Sequence, residues 1–80
     1  MIYSAQIRAA RGLLDWSRDE LVDASGLSRS TLQRMERGDG IATGHASNLW
    51  QVQQVLEAAG IIFLPADQSG GPGVRVRTTS

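Results

Sequence analysis

Arg29, Ser30, Gln33 and Arg34 fall in one ten-residue segment, SRSTLQRMER, between Ser28 and Arg37. If this segment is a helix, Leu32 and Met35 share one face, and the arginines, serine and glutamine are left on the others. A guanidinium presents forked donors that match guanine edges and phosphate oxygens. Serine and glutamine supply hydroxyl and amide groups for base edges or backbone. One arginine on a helix is usually an ordinary solvated side chain. The set gains its meaning from the segments that would hold it in place.

Those segments are legible on both sides. Ser17 and Glu20 form a capping box: the hydroxyl serves an orphan amide of the first turn, and the carboxylate reaches back to the cap. Ser28 repeats the helix-start signal, and the second segment runs to Arg37 and stops at Gly38. Gly26 between them can take the left-handed conformation of a sharp interhelical turn. The stretch SRDELVDASGLSRSTLQRMERG thus reads as a helix-turn-helix, with Leu21, Val22, Leu27, Leu32 and Met35 packing the pair on a third helix.

Helix one is expected from Ser4, as cap, through Ala5 to Leu14, with Ile7, Ala10, Leu13 and Leu14 inward and Arg8 and Arg11 solvated or paired. Trp16 plugs the connection between helices one and two. The loop DGIATGHASN carries the sole histidine, and one His without companions makes no metal site. Helix four is expected over Ala46 to Ala59, with Leu49, Val52, Val55, Leu56 and Ala59 as its stripe and Gly60 ending it. Trp50 falls beside that stripe, as a core-edge residue or an anchor between subunits. Ile61 to Leu64, the turn residues PADQSGGPG and the alternating VRVRTT read as a hairpin. Such a hairpin is marginal alone and must lie on the helices, pair with a second copy, or both. Arg75 and Arg77 would protect its edge.

Eighty residues with 41% hydrophobic content suit one small globular domain. Without cysteine there is neither a disulfide framework nor a thiolate metal site. No apolar run is long enough for a membrane span, and a cytoplasmic location without membrane partners is the expectation. Formal net charge is zero, but Ser28 to Arg37 holds three Arg against one Glu, whereas Asp15, Asp19, Glu20 and Asp23 precede it. The positive field is therefore confined to one helix, and salt dependence should be shallow. No carboxylate pair or phosphate-cradling glycine loop suggests an enzyme, and no cofactor is expected.

From Gln6 to Gly38 the chain resembles the Cro and lambda-repressor type of helix-turn-helix domain, the xenobiotic response element (XRE) family. The phrases QIRAARGLLDWS, SGLSRSTLQRMERG and VLEAAGIIFLP carry the resemblance. It implies a mainly α fold: a four- to five-helix lambda-repressor-like domain over residues 1–60. A C-terminal β extension, hairpin or strand, over 61–80 would pack on that domain, dimerise, or both. By the same resemblance Arg18 stands where a backbone-touching glutamine is usual, and Ser28, Arg29, Ser30 and Arg34 face the groove. Glu36 matches a structural acid, and the start of helix four, with Asn48, abuts the DNA backbone. Val22 replaces a usual Ala, Ser25 an apolar residue, and Asp15 a Gly.

The expectation is a homodimeric transcriptional regulator, a repressor, reading a near-palindromic operator in double-stranded DNA. Arg29, Ser30, Gln33 and Arg34 would read bases, and Arg18, Ser28, Arg37 and Asn48 would hold phosphates. Trp50, Ile62, Val74 and Val76 would join the subunits. The alternative is an antitoxin-type module whose tail and Trp50 bind a toxin or other protein partner.

Overall fold

A computed structural model describes residues 2–78, so the last residues of the expected 61–80 extension, 79–80, lie outside the described residues. The order is α1 (Ser4–Leu14), α2 (Arg18–Ser25), α3 (Arg29–Glu36), α4 (Ala46–Ala58), β1 (Ile61–Leu64) and β2 (Gly73–Val76). The fold is the mainly helical, lambda-repressor-like one expected, with four helices and a hairpin. No fifth helix follows α4 among the described residues.

The α2–α3 unit follows its local chemistry. The Glu20 N–H donates to Ser17 Oγ at 3.1 Å and the Ser17 N–H to Glu20 Oε1 at 3.2 Å, so both halves of the capping box form. Gly26 turns the chain at φ 75°, and Ser28 Oγ accepts from the Thr31 N–H at 3.2 Å to start α3. That helix ends at Glu36 with Arg37 as its cap, one residue sooner than the sequence suggested. Asp15 adopts the left-handed region, φ 57°, and ends α1 without a glycine.

Two expectations for α1 fail. Ser4 is not the cap: Tyr3 holds that position, its N–H donating to Gln6 Oε1 at 2.7 Å. Ser4 is instead buried and donates its hydroxyl to the Met35 carbonyl at 2.5 Å, tying the start of α1 to the end of α3. Leu13 is 49% exposed rather than inward. Six positions past Ile7 it lies roughly 120° around the helix, whereas Ala10 and Leu14 stay close to Ile7's stripe.

Ile7, Leu21, Leu32, Met35, Val52 and Leu56, all fully buried, form the core, with Trp16 and Leu27 packed at its margin. The α3–α4 loop returns to the N-terminus: Ser4 N–H donates to Gly40 O and Ala42 N–H to Ile2 O, both at 3.0 Å, bridging Tyr3 and Ile41. Helix α4 ends one residue short of Ala59, and Gly60 at φ 109° turns the chain into β1.

The hairpin is antiparallel, pairing Ile61 with Val76 and Phe63 with Val74. Directly opposed residues share a face, so these four lie on one side of the sheet and Ile62, Leu64 and Arg75 on the other. Ile61 is in the core, and Phe63 and Val74 pack against it. Buried Gln6 donates from Nε2 to Leu64 O at 3.2 Å and to Gly73 O at 2.9 Å, fastening both strands to α1.

Candidate nucleic-acid interface

Helix α3 is held at its C-terminal end by arginines from its neighbours. Glu36 is buried, and Arg11 meets it with Nε to Oε2 at 2.9 Å and Nη2 to Oε1 at 2.7 Å. The same guanidinium donates from Nη1 to the Trp16 carbonyl at 3.2 Å. Arg8 donates to the Glu36 carbonyl and, at 2.8 Å, to the Gly38 carbonyl. A cation at these carbonyls suits the negative end of the helix dipole. Arg8 and Arg11 are thus paired, and Glu36 has the structural role that the family pattern implied. The clamp by Arg8 escaped sequence reading. Its signal was the three-residue spacing of Arg8 and Arg11 on α1, opposite the lone acid of α3.

With that end anchored, the polar faces of α3 are left outward. Ser30, Gln33, Arg34 and Arg37 are all exposed, and their spacing makes one stripe. Arg34 also lines a polar cleft with Thr31, Thr43, Gly44, His45 and Asn48. Asn48, in the first turn of α4, thus lines the same cleft as Arg34 of α3. His45 sits at the N-cap of α4, and its side chain makes no capping bond.

The N-terminal end of α3 is arranged differently. Arg29 pairs with Asp19 of α2, each about three-fifths exposed. Ser28 Oγ, besides capping, donates to Thr31 Oγ1 at 2.8 Å, so this hydroxyl serves the helix itself. Arg18 leans toward Glu36, Nη2 to Oε1 at 3.4 Å, and remains 36% exposed. Its guanidinium is shared between the interior and the surface.

Of the four residues expected between subunits, Trp50 lies on α4 and the other three on the hairpin. Trp50 is 64% exposed on α4, so its core-edge reading falls away. Ile62 lies on one face of the hairpin, and Val74 and Val76 lie on the other.

A family model described as helix-turn-helix matches residues 7–47, from α1 to the start of α4. The chain belongs to the helix-turn-helix family of XRE type. The match takes in the capped α2–α3 unit, the Arg11–Glu36 anchor and the outward stripe of α3, and it makes the chain a DNA-binding regulator of that family. Comparison with curated proteins finds no match. Among the described residues no helix is long and apolar enough to cross a membrane, and no group of His, Asp and Glu is placed to hold a metal ion.

Proposed function

We propose that this XRE-type protein is a cytoplasmic transcriptional repressor that binds a near-palindromic operator as a homodimer, with α3 in the major groove. One observation carries the reading: Ser30, Gln33, Arg34 and Arg37 form an exposed stripe on a helix whose far end is locked by Arg8, Arg11 and Glu36. A rigid helix with mobile, outward donors is what base readout requires. Arg29 and Arg34 take guanine, with Ser30 and Gln33 beside them. Arg18, Arg37 and Asn48 hold phosphates on either side, and Ser28 joins them by turning its hydroxyl proton from Thr31 Oγ1 to a phosphate oxygen. Two copies read half-sites about 34 Å apart on one face of the duplex. Residues 1–60 are the reading body, and β2 and β1 of the C-terminal extension pack on α1 and α4.

Selection from a random DNA pool at fixed salt tests this. The expected product is an inverted repeat with guanine in each half-site. Enrichment of no sequence over the starting pool would refute sequence-specific reading, and enrichment of isolated half-sites alone would refute the dimer.

A further inference from the structure

His45 is the only histidine of the chain, and it is exposed. Its imidazole lines the polar cleft with Thr31 and Arg34 of α3, Thr43 and Gly44 of the α3–α4 loop, and Asn48 of α4. Arg34 carries the one fixed charge in that lining, and no carboxylate belongs to it. A guanidinium, two hydroxyls, an amide and an imidazole around one opening suit an anion rather than a cation or an apolar group.

The acids of the surrounding elements are engaged elsewhere. Glu36, at the end of α3, is buried on Arg11 and Arg18. Asp39, in the α3–α4 loop, lines a separate cavity beside Tyr3 and Pro72. Glu57, near the far end of α4, accepts from Gln53 and Gln54. In α2, Asp19 pairs with Arg29 and Glu20 closes the capping box, and neither they nor Asp23 lines the cleft. Of the cations, Arg8 is spent on carbonyls and Arg37 lies outside the lining. A protonated His45 thus has no carboxylate of its own chain to meet in the cleft. Imidazole is the side chain whose charge ordinarily changes between pH 5 and 8. Neutral, it donates from one nitrogen; protonated, it donates from both and carries a full charge.

We propose that His45 is a proton-dependent contact to the DNA backbone. Its imidazolium donates to the phosphate that Asn48 holds in the cleft beside Arg34, so DNA affinity rises as pH falls through the histidine range. This rests on the DNA-bound reading above and adds to it one residue and a pH response.

The test measures affinity of the full chain for the selected operator and for an arbitrary duplex, at about pH 5.5 and 7.5. Each is taken at two salt concentrations for wild type, His45→Gln and His45→Lys, with thermal midpoints confirming that all three are folded. Wild type should bind both DNAs on the order of fivefold more tightly at the lower pH. Its salt slope there should be steeper by about one. His45→Gln should stay at the higher-pH wild-type level throughout. His45→Lys should stay near the lower-pH level, because an ammonium remains charged across this range. A role confined to capping α4 would move the midpoint and leave the salt slope alone. Wild-type affinity that ignores pH overturns the proposal, as does an equal rise in His45→Gln. A rise confined to the operator would assign the imidazole to a base and overturn the backbone contact. Saturation of the His45 resonances by inorganic phosphate, with no pH effect on DNA, would make the cleft a free-anion site and overturn it as well. Failure of the reading function looks different. A pool that yields no enriched sequence, with the pH rise on arbitrary duplex intact, would uphold His45 and refute specific reading.

Discussion

Arg11 and Glu36 join α1 to the end of α3 through two parallel hydrogen bonds, 2.9 and 2.7 Å long, with the carboxylate buried and the arginine 19% exposed. The relationship is directional in its consequences. Losing Arg11 leaves a buried anion with only the longer contact to Arg18, whereas losing the Glu36 carboxylate frees two arginines, of which Arg11 still has the Trp16 carbonyl, and leaves Arg8 on its backbone carbonyls. Removing one partner of a buried pair costs about 3–5 kcal/mol, a large part of the stability of a domain this small. Arg11→Ala should therefore lower the thermal midpoint sharply. Replacing both residues by apolar ones, Arg11→Met with Glu36→Leu, should recover much of the loss. Equal midpoints for wild type and Arg11→Ala in a scanning experiment would show that the pair contributes nothing.

Arg34 stands on the exposed stripe and also lines the cleft shared with Asn48. As a base reader, its change to Ala costs on the order of 1–3 kcal/mol on the selected operator and relaxes preference at one base pair. As a phosphate contact, the same change weakens binding to every sequence and reduces the salt slope by about one. Titration of a set of single-base operator variants at two salt concentrations decides between them, and base-pair-specific loss is the expected outcome.

Asp19 holds Arg29 in the free chain, and both are largely exposed, so the pair itself stabilises the fold little. On the proposed reading its effect belongs to recognition: the carboxylate holds Nη1 of the guanidinium, and its charge opposes approach to phosphate. Asp19→Asn should raise affinity for arbitrary DNA and lower discrimination at the base that Arg29 meets. A uniform rise on all sequences, with discrimination intact, would show that Asp19 acts only as a charge.

How much of this was legible depended on distance along the chain. Ser17, Gly26 and Ser28 act within four residues of themselves, and cap and turn chemistry locates them without any knowledge of the fold. Ser4 and Met35 are 31 residues apart, and Gln6 bonds carbonyls 58 and 67 residues away. No local pattern distinguishes such polar residues from solvated ones. Ser4 looked like a cap because serine is a good cap. Burial against α3 decides its role instead. The hairpin was visible as two apolar runs around a turn. That Ile62 lies on the face opposite Val74 and Val76 is not legible in the sequence, because cross-strand register, set by the turn, determines which side chains share a face.

Gln6 is the polar residue on which the hairpin's attachment depends. Its Nε2 serves the carbonyls of Leu64 and Gly73, and its Oε1 takes the Tyr3 N–H. Gln6→Leu keeps the volume and leaves those groups unmet, at about 1–3 kcal/mol for each buried group that water cannot reach. Amide exchange in β1 and β2 should quicken more than in α2 and α3. Uniform acceleration through the whole domain would mean that the hairpin opens only with global unfolding.

The turn between the strands carries a pH response of its own. Asp67 Oδ1 accepts from the Ser69 hydroxyl at 2.7 Å, the Ser69 N–H at 2.8 Å and the Gly70 N–H at 3.1 Å. The Ser69 hydroxyl above all, then the backbone N–H groups, hold the carboxyl below the ordinary aspartate range. A depressed folded-state value means that the unfolded chain takes up the proton first. The contribution is therefore complete above the ordinary value, about 4, and is lost as pH falls through the lowered one. The group is fully exposed, so the effect is local to the turn. Chemical shifts of Ser69 and Gly70 amides should titrate together below about pH 4 and cease to do so in Asp67→Asn. Titration that persists in the variant would assign the acid response to another carboxylate.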